Sequence, residues 1–333
     1  MLTLGEDTSA IKSQDYVRSL AAPDGYTVAR QRSGRLWFED ARTGRRTTRS
    51  VPNHDAYFTW SPNARWLLSS GADGFLKLWD ATTGTLAAKS IDYGQDDFLA
   101  AYSPDSAKVY VWGSDSVLRT LDRASLRPVY DDVDIGARMT HLLPHPTDGS
   151  VIILMLDGSF ARVNPETGEL LSSGPPGLLQ PETAGALSPE GSRMATLDAD
   201  FNVRLLDLET LEWVGSDAST VVGADLIYAP DGSQVAALQS ERIRLWDGRT
   251  GEYQASLPIP SRVARLSMSY LPDSTGLLLA ASDGRTWAVD TRTSTWVQRA
   301  CRTAGRNLTQ DEWKQFFPTR PYAVTCRQWP AGA

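Results

Sequence analysis

The chain has 333 residues, of which 41% are hydrophobic and 22% are charged, a balance typical of a folded globular protein. Its net charge of -7 argues against a nucleic-acid-binding protein, because such proteins usually present a basic surface to the phosphates. The sequence has no run of about 18 apolar residues and does not begin with a basic segment followed by an apolar one. We therefore predict a cytoplasmic protein without a transmembrane helix, and no association with a membrane.

Turns built on proline recur along the chain. Proline fixes φ at the first central position of a turn, and a following Asp, Asn, Ser or Gly completes the turn. The prolines are Pro23, Pro62, Pro104, Pro146, Pro189, Pro230 and Pro272. The steps between them are 39, 42, 42, 43, 41 and 42 residues, so the chain contains a repeat.

A second marker has the same period. Short apolar runs end in Asp or Asn, and several of them are followed by Thr-Gly, which suits a hairpin turn. These anchor residues are Asp40, Asp80, Asp122, Asn164, Asp207, Asp247 and Asp290. Alternating runs such as residues 65–69 and 75–79 predict strands between the two markers. Each unit is therefore expected to form four antiparallel strands, a to d from the centre outward. The sequence predicts an all-β, seven-bladed β-propeller over residues 1–290.

The repeat resembles the WD40 family. The signature dipeptide is literal at Trp79-Asp80 and at Trp246-Asp247, and elsewhere it drifts to pairs such as Leu121-Asp122. The resemblance covers roughly residues 1–290 and depends on spacing more than on any single motif. It implies a propeller whose strand c ends at the signature residues, so Asp73, Trp79, Trp246 and Asp247 are interpreted as structural.

In the family, an Asp six residues before the signature Trp often bonds a His from the preceding loop. That Asp is present in five units, as Asp73, Asp115, Asp157, Asp200 and Asp283. The partner His is nearly absent. The resemblance therefore implies at most one partial set of four residues, Asp73 with His54, Ser69 and Trp79.

Residues 291–333 predict a short helical extension that packs on the propeller. Apolar residues from Trp296 to Ala304 fall on one helical stripe, with Thr293 or Ser294 as the cap and Gly305 as the stop. Thr309 and Glu312 form a capping box for a second helix. Trp313, Phe316 and Phe317 are its expected apolar stripe, which Pro318 ends.

The tail is similar to one found after bacterial WD40 propellers. The residues that carry the similarity include Asn307, Glu312-Trp313, Pro321-Tyr322 and Trp329-Pro330. Such tails occur in large signalling proteins in which a STAND-type ATPase, a kinase or a caspase-like protease precedes the propeller. The resemblance implies a sensing or scaffolding module, covalently part of a larger multidomain protein.

Two structural predictions concern the ends of the chain. Residues 1–4 are expected to supply the missing outer strand of the seventh blade, and the rival for that role is residues 295–299. Cys301 and Cys326 are interpreted as structural and are expected to lie close together. They form either buried thiols or, in an oxidising compartment, a disulfide.

Residues suited to chemistry are few. The three histidines are His54, His141 and His145, for which a surface or turn role is favoured over a metal site. We therefore predict no enzyme, no catalytic residue, no metal and no cofactor. The alternative is a lactonase-like or lyase-like propeller enzyme with a site in the central channel.

The inter-blade connections carry clusters of acid. Asp55 lies in the first, Asp92, Asp96 and Asp97 in the second, and Asp131, Asp132 and Asp134 in the third. Because these connections are neighbours around the ring, their charges are expected to form one negative sector that attracts a basic protein partner. The rival interpretation is that acidic loops only keep the protein soluble. The sequence thus favours a non-catalytic interaction or scaffold module of a bacterial signalling or regulatory protein.

Overall fold

Seven antiparallel sheets, each built from neighbouring strands, make up the first of two units in this computed structural model. The units are Met1–Val289 and Asp290–Ala333. The structure describes residues 2–3, 18–53, 55, 57–71, 73–93, 99–113, 115–181, 184–215, 225–239, 242–259 and 266–332. The predicted seven-bladed β-propeller is confirmed.

The strands follow one another from the centre of the ring to its rim. The innermost strands are β2 (Arg18–Ala21), β7 (Tyr57–Trp60), β11 (Leu99–Tyr102), β15 (Met139–Pro144), β19 (Ala186–Leu187), β23 (Asp225–Tyr228) and β27 (Leu266–Tyr270). The second strands are β3 (Thr27–Arg32), β8 (Trp66–Ser70), β12 (Lys108–Trp112), β16 (Val151–Met155), β20 (Arg193–Leu197), β24 (Gln234–Gln239) and β28 (Gly276–Ala281). The third strands are β4 (Arg35–Asp40), β9 (Leu76–Asp80), β13 (Val117–Asp122), β17 (Phe160–Val163), β21 (Val203–Asp207), β25 (Arg242–Asp247) and β29 (Thr286–Asp290). The outer strands are β5 (Arg45–Arg46) with β6 (Val51–Pro52), β10 (Thr85–Lys89), β14 (Val133–Asp134), β18 (Leu170–Gly174), β22 (Trp213–Val214), β26 (Tyr253–Pro258) and β1 (Leu2–Thr3).

The proline turns connect the first and second strands of each blade, and their geometry explains the repeated sequence. The last residue of each turn has a positive φ, even where it is not glycine, as at Ala64 (57°), Ser106 (60°) and Ser274 (57°). The preceding Asp supports the turn; for example, Asp24 Oδ1 accepts hydrogen bonds from the backbone of Tyr26 and Thr27 at 2.9 and 2.8 Å. Asp and Asn favour such turns because their side chains bond backbone N–H groups two or three residues ahead.

The core lies between neighbouring blades. Phe38 of blade one and Leu67 and Trp79 of blade two belong to one buried cluster, and the ring centroids of Phe38 and Trp60 are 5.6 Å apart. The sequence suggests Trp60, Trp66, Trp112 and Trp287 as inter-blade core residues; Trp60, Trp112 and Trp287 are buried, and Trp66 is partly buried against the cluster of blades two and three. Each blade therefore buries its faces against the next blade, as expected where a single sheet cannot bury them alone.

The ring closes between blades one and seven. β1 pairs antiparallel with β29, with Leu2 opposite Ala288 and Thr3 opposite Trp287. The prediction that the N-terminal segment completes the seventh blade is confirmed for Leu2–Thr3. The rival strand, residues 295–299, is wrong because those residues belong to the first helix.

The second unit contains two helices, α1 (Thr293–Ala304) and α2 (Gln310–Phe316). Gly305 ends α1 in the left-handed conformation, as predicted, and the capping box of Thr309 and Glu312 is present. The predicted cap of α1 is wrong: its N-cap is Arg292, which makes no side-chain capping bond. The helix begins at Thr293, so Thr293 and Ser294 are its first two residues and neither occupies the cap position.

The apolar stripe predicted for α2 is only partly buried. Trp313 is buried, and its ring centroid lies 4.7 Å from that of Phe317 and 5.6 Å from that of Tyr322. Phe316 is 62% exposed and Phe317 is also exposed, so the stripe is not a continuous buried face.

Candidate interaction surface

The order of strands gives the propeller two distinct faces. Because consecutive strands run antiparallel, the a–b and c–d turns lie on one face and the b–c turns and inter-blade connections on the other. We call the first the turn face; it includes residues 22–26 and 81–84. We call the second the loop face; it includes residues 73–75 and 133–138.

The signature aspartates organise the turn face. Asp247 Oδ1 accepts hydrogen bonds from the backbone N–H groups of Arg249 and Thr250, both at 2.9 Å. Burial acts to raise the pKa of Asp247, but these donors outweigh it and lower the pKa below its usual value. The adjacent Trp246 is almost fully buried. Asp80 accepts from Thr82 and Thr83 in the same way. The role of these aspartates in the structure is to hold the c–d turn.

A buried polar network occupies the junction of blades one and two. The Trp79 indole donates to Ser69 Oγ at 2.8 Å, and Ser69 Oγ donates to Asp55 Oδ2 at 2.5 Å. Asn53 Nδ2 donates to the same carboxylate oxygen at 2.9 Å, and Gln31 Nε2 donates to Asn53 Oδ1 at 2.9 Å. Asp55 is only 3% exposed, and these donors offset the free-energy cost of burying its carboxylate.

This network corrects two expectations. Asp55 is not a surface acid of the first inter-blade connection, because it is buried and bonded to Ser69. Asp73 is not the carboxylate that Ser69 contacts; it pairs with Lys77 at 2.7 Å, and Lys77 also bonds Asp55 Oδ1 at 2.6 Å. Burial acts to lower the pKa of Lys77, but the two carboxylates outweigh it and raise the pKa. His54 lies outside the described residues.

Of the acidic residues predicted to bind a partner, Asp92 and Asp134 lie beside b–c turns of the loop face, and Asp131 and Asp132 lie on the outer edge of blade three, just before β14. Those residues are all exposed: Asp92, Asp131, Asp132 and Asp134. Asp96 and Asp97 lie outside the described residues. Arg119 partly offsets this charge, because it bonds Asp115 at 2.6 Å and approaches Asp132 at 3.3 Å.

A cavity of about 440 Å³ lies among the innermost strands of blades one, two, six and seven. Its lining includes Arg18, Tyr57 and Asp225 from three different blades, together with the buried Arg30. Basic and acidic side chains therefore both line this cavity, which borders the central channel of the ring.

Asp225, which lines this cavity, and His141, on the innermost strand of blade four, have opposite pKa shifts. Asp225 is in contact with solvent, yet the surrounding protein desolvates its carboxyl and raises the pKa, which His141 opposes. Burial lowers the pKa of His141, and Asp225 opposes that shift. The buried Nδ1 of His141 has no hydrogen-bond partner within the part of the chain that the structure describes. His145, by contrast, is a buried turn residue whose Nδ1 lies 2.8 Å from Asp148.

In the second unit, Cys301 and Cys326 form a disulfide with Cα atoms 5.4 Å apart. Asn307 is buried beside it: its Oδ1 accepts from the backbone of Cys326 at 2.8 Å, and its Nδ2 donates to the carbonyl of Pro330 at 2.8 Å. Asn307 thus fixes the extended end of the chain. The sequence alone does not reveal this role, because a single Asn carries no signal of burial.

Among the described residues, no group of three or more His, Cys, Asp or Glu is arranged to hold a metal ion. Within the same ranges, no helix is long and apolar enough to cross a membrane.

One stretch of the chain matches a family model. Residues 48–80 match the WD domain, G-beta repeat. The match runs from the rim of blade one to the signature Trp79-Asp80 of blade two and includes Asn53, Asp55 and Ser69 of the buried network. The molecule is thus a seven-bladed propeller that contains a WD40 repeat. Propellers of this kind are generally scaffolds for protein interactions.

Proposed function

We propose that this propeller is a non-catalytic module that binds a basic protein partner through the acidic inter-blade connections of its loop face. The observation that supports this most strongly is the exposure of Asp92, Asp131, Asp132 and Asp134 on the segments where the outer edges of blades two and three lead toward the next blade. Binding residues commonly lie on loops that a rigid scaffold positions. Like charges on neighbouring loops attract an oppositely charged partner and accelerate its association.

The test is a charge reversal. Asp131, Asp132 and Asp134 are changed together to Lys, and the association rate with the partner that co-purifies is measured as ionic strength is varied. We expect a slower association and a weaker dependence on salt. The control reverses three exposed acids of the turn face, Glu209, Glu212 and Glu252. If both triple variants associate at the rate of the unchanged protein, the loop face is not the binding surface.

The proposal includes the setting of the module. The similarity of residues 291–333 to tails that follow bacterial WD40 propellers supports a sensor or scaffold within a larger signalling protein. The effector joined to it is then a STAND-type ATPase, a kinase or a caspase-like protease. Sequencing the complete coding region tests this, and a product with no such domain would remove that part of the proposal.

A cytoplasmic location is also part of the proposal, and the disulfide makes it testable. Cytoplasmic proteins normally keep their thiols reduced. Trapping thiols with an alkylating reagent during cell lysis, followed by mass spectrometry, reports the state of Cys301 and Cys326 in the cell. Two alkylated thiols agree with the cytoplasm, whereas full oxidation argues for an oxidising compartment.

The rival function, an enzyme with a channel site, has one supporting observation. Desolvation raises the pKa of the Asp225 carboxyl and lowers the pKa of the His141 imidazole, and both residues belong to innermost strands of the ring. Hydrolysis of a panel of lactones by the purified protein, lost in Asp225→Asn, would favour this rival over the interaction module.

A further inference from the structure

A groove opens at the rim of the propeller, between blades three and four. Its volume is about 620 Å³, and it is bordered by β14 on one side and by β17 and β18 on the other. The outer strand of blade three is short there: β14 has 2 residues, as β22 does, whereas β10 and β18 have 5 each. Leu170 and Ser173 of β18 are exposed beside it, while Phe160 and Val163 of β17 are buried at the base of the groove.

Apolar side chains form part of the wall of the groove. Val133 and Ile135 contribute from blade three and Leu170 from blade four, while Phe160 and Val163 lie buried at the base. Leu170, at the start of β18, is 59% exposed although it is a large apolar side chain. An exposed apolar surface rimmed by polar residues is typical of an interaction site.

The groove also offers a free strand edge. β18 is the outermost strand of blade four, and among the described strands it pairs only with β17. Its other edge is therefore open to an additional strand. Extended peptides bind such edges through backbone hydrogen bonds, while alternate side chains enter the neighbouring pockets.

The charge around the groove is negative. Asp134 of β14 lines the groove, and the exposed Asp131 and Asp132 come just before β14 in the chain. Glu166 and Glu169 are exposed on either side of Gly168, which also lines the groove. This charge favours basic side chains in whatever segment lies there.

We propose that this lateral groove binds an extended segment of a partner protein in which apolar and basic residues alternate. The apolar side chains occupy the space beside Leu170 and Val133, and the basic side chains point toward Asp134 and its acidic neighbours. The inference rests on the proposed function as an interaction module and adds to it a second site, at the rim, with a partner of stated chemistry.

The experiment uses a fluorescent decapeptide of alternating valine and lysine. Fluorescence anisotropy measures its binding to the full chain, with a serine–lysine and a valine–glutamate decapeptide as comparisons. We expect the valine–lysine peptide to bind at least about tenfold more tightly than either comparison. Equal binding of the serine–lysine peptide would mean that charge alone attracts the peptide, and the groove assignment would be wrong.

Two variants locate the site. Leu170→Lys removes an exposed apolar contact and adds a like charge, and Ser173→Trp fills the groove from an exposed position. Each is expected to weaken the valine–lysine peptide by about tenfold or more. The matched control is Leu86→Lys, at a 46%-exposed leucine on the outer strand of blade two. The control is expected to leave affinity nearly unchanged.

The outcomes separate this inference from the proposed function. Loss of binding in Leu170→Lys and Ser173→Trp but not in Leu86→Lys supports the groove. No binding by the unchanged protein, or equal loss in all three variants, overturns it. If the groove fails while reversal of Asp131, Asp132 and Asp134 still slows the natural partner, the loop-face proposal stands without the groove.

Discussion

Replacing Arg30 should weaken the closure of the ring. Arg30 of blade one is 1% exposed, and its Nε donates to Glu39 at 2.7 Å. One terminal nitrogen donates to Ser19 Oγ at 2.5 Å and to the carbonyl of Ala281 at 2.9 Å, and the other donates to the carbonyl of Gly284 at 2.8 Å. Ala281 and Gly284 belong to blade seven. One buried guanidinium thus connects the first and last blades.

Arg30→Met keeps the length of the side chain but removes its charge and all four donated bonds. Breaking a buried ion pair from one side costs about 3–5 kcal/mol, because the partner remains buried without its counter-charge. The unfolding entropy of a chain of 333 residues is about 0.7 kcal/mol per kelvin. The expected loss in melting temperature is therefore about 4–7 °C, measured by differential scanning calorimetry.

The control is Arg65→Met. Arg65 pairs with Asp80 at 3.4 Å, but its side chain is 58% exposed, so solvent screens the pair. Exposed pairs contribute at most about 1 kcal/mol, equivalent here to about 1.5 °C. If Arg30→Met melts at no lower temperature than Arg65→Met, Arg30 does not stabilise the junction of blades one and seven.

Three further predictions concern other contacts. Gly84→Ala should destabilise the propeller by about 2–4 kcal/mol in urea unfolding, because Gly84 has φ +71° and a Cβ there would lie 2.5 Å from the Cβ of Thr48. The pKa of Glu312 is lowered to about 2, chiefly by its hydrogen bond with Arg306. Its stabilising contribution is therefore complete above the ordinary pKa and is lost as the pH falls through about 2. A carbon-13 NMR titration should find that value, and Arg306→Gln should raise it. Reducing the disulfide, which spans 25 residues, should destabilise the second unit by about 3.5 kcal/mol, seen as faster amide exchange there.

Each of these predictions has a contradicting result. Gly44→Ala is the control for Gly84→Ala, because Gly44 also has a positive φ but a Cβ there would meet nothing within 4 Å. Equal destabilisation by the two variants would mean that the contact with Thr48 is unimportant. A Glu312 titration near its ordinary value would contradict the ion pair with Arg306. Unchanged amide exchange after reduction would show that the second unit does not depend on its disulfide.

The packing of residues 291–333 on the propeller stays a prediction. Chemical cross-linking with mass spectrometry tests it: cross-links from Lys314 to lysines of the propeller are expected. Their absence, with cross-links forming normally among the propeller's own lysines, would argue that the tail stands apart.

The fold could be predicted from the sequence because its turns use residues with specific backbone requirements. Proline followed by Asp, and the signature Asp ahead of a hairpin, both direct side-chain oxygens to nearby backbone N–H groups, as at Asp24 and Asp247. Such bonds are local, so they leave a mark at fixed spacing. Closure by Leu2–Thr3 could be predicted for a similar reason, since the seventh unit lacked one strand.

The buried network could not be predicted in the same way. The family pattern drew attention to Asp73 and His54, but the carboxylate that accepts from Ser69 belongs to Asp55. Its burial depends on how two blades meet, which no local pattern in the sequence reports. The rim groove also leaves no mark in the sequence, because it depends on how β14 of blade three lies beside β18 of blade four.

Hydrogen exchange with mass spectrometry shows which surface a protein partner covers. Exchange is measured for the purified chain with and without its co-purifying partner. Slower exchange is expected in residues 90–93 and 131–138, which carry the exposed acids of blades two and three, and no change is expected in the a–b and c–d turns. Protection confined to those turns would contradict this expectation, because the partner would then be bound to the opposite face.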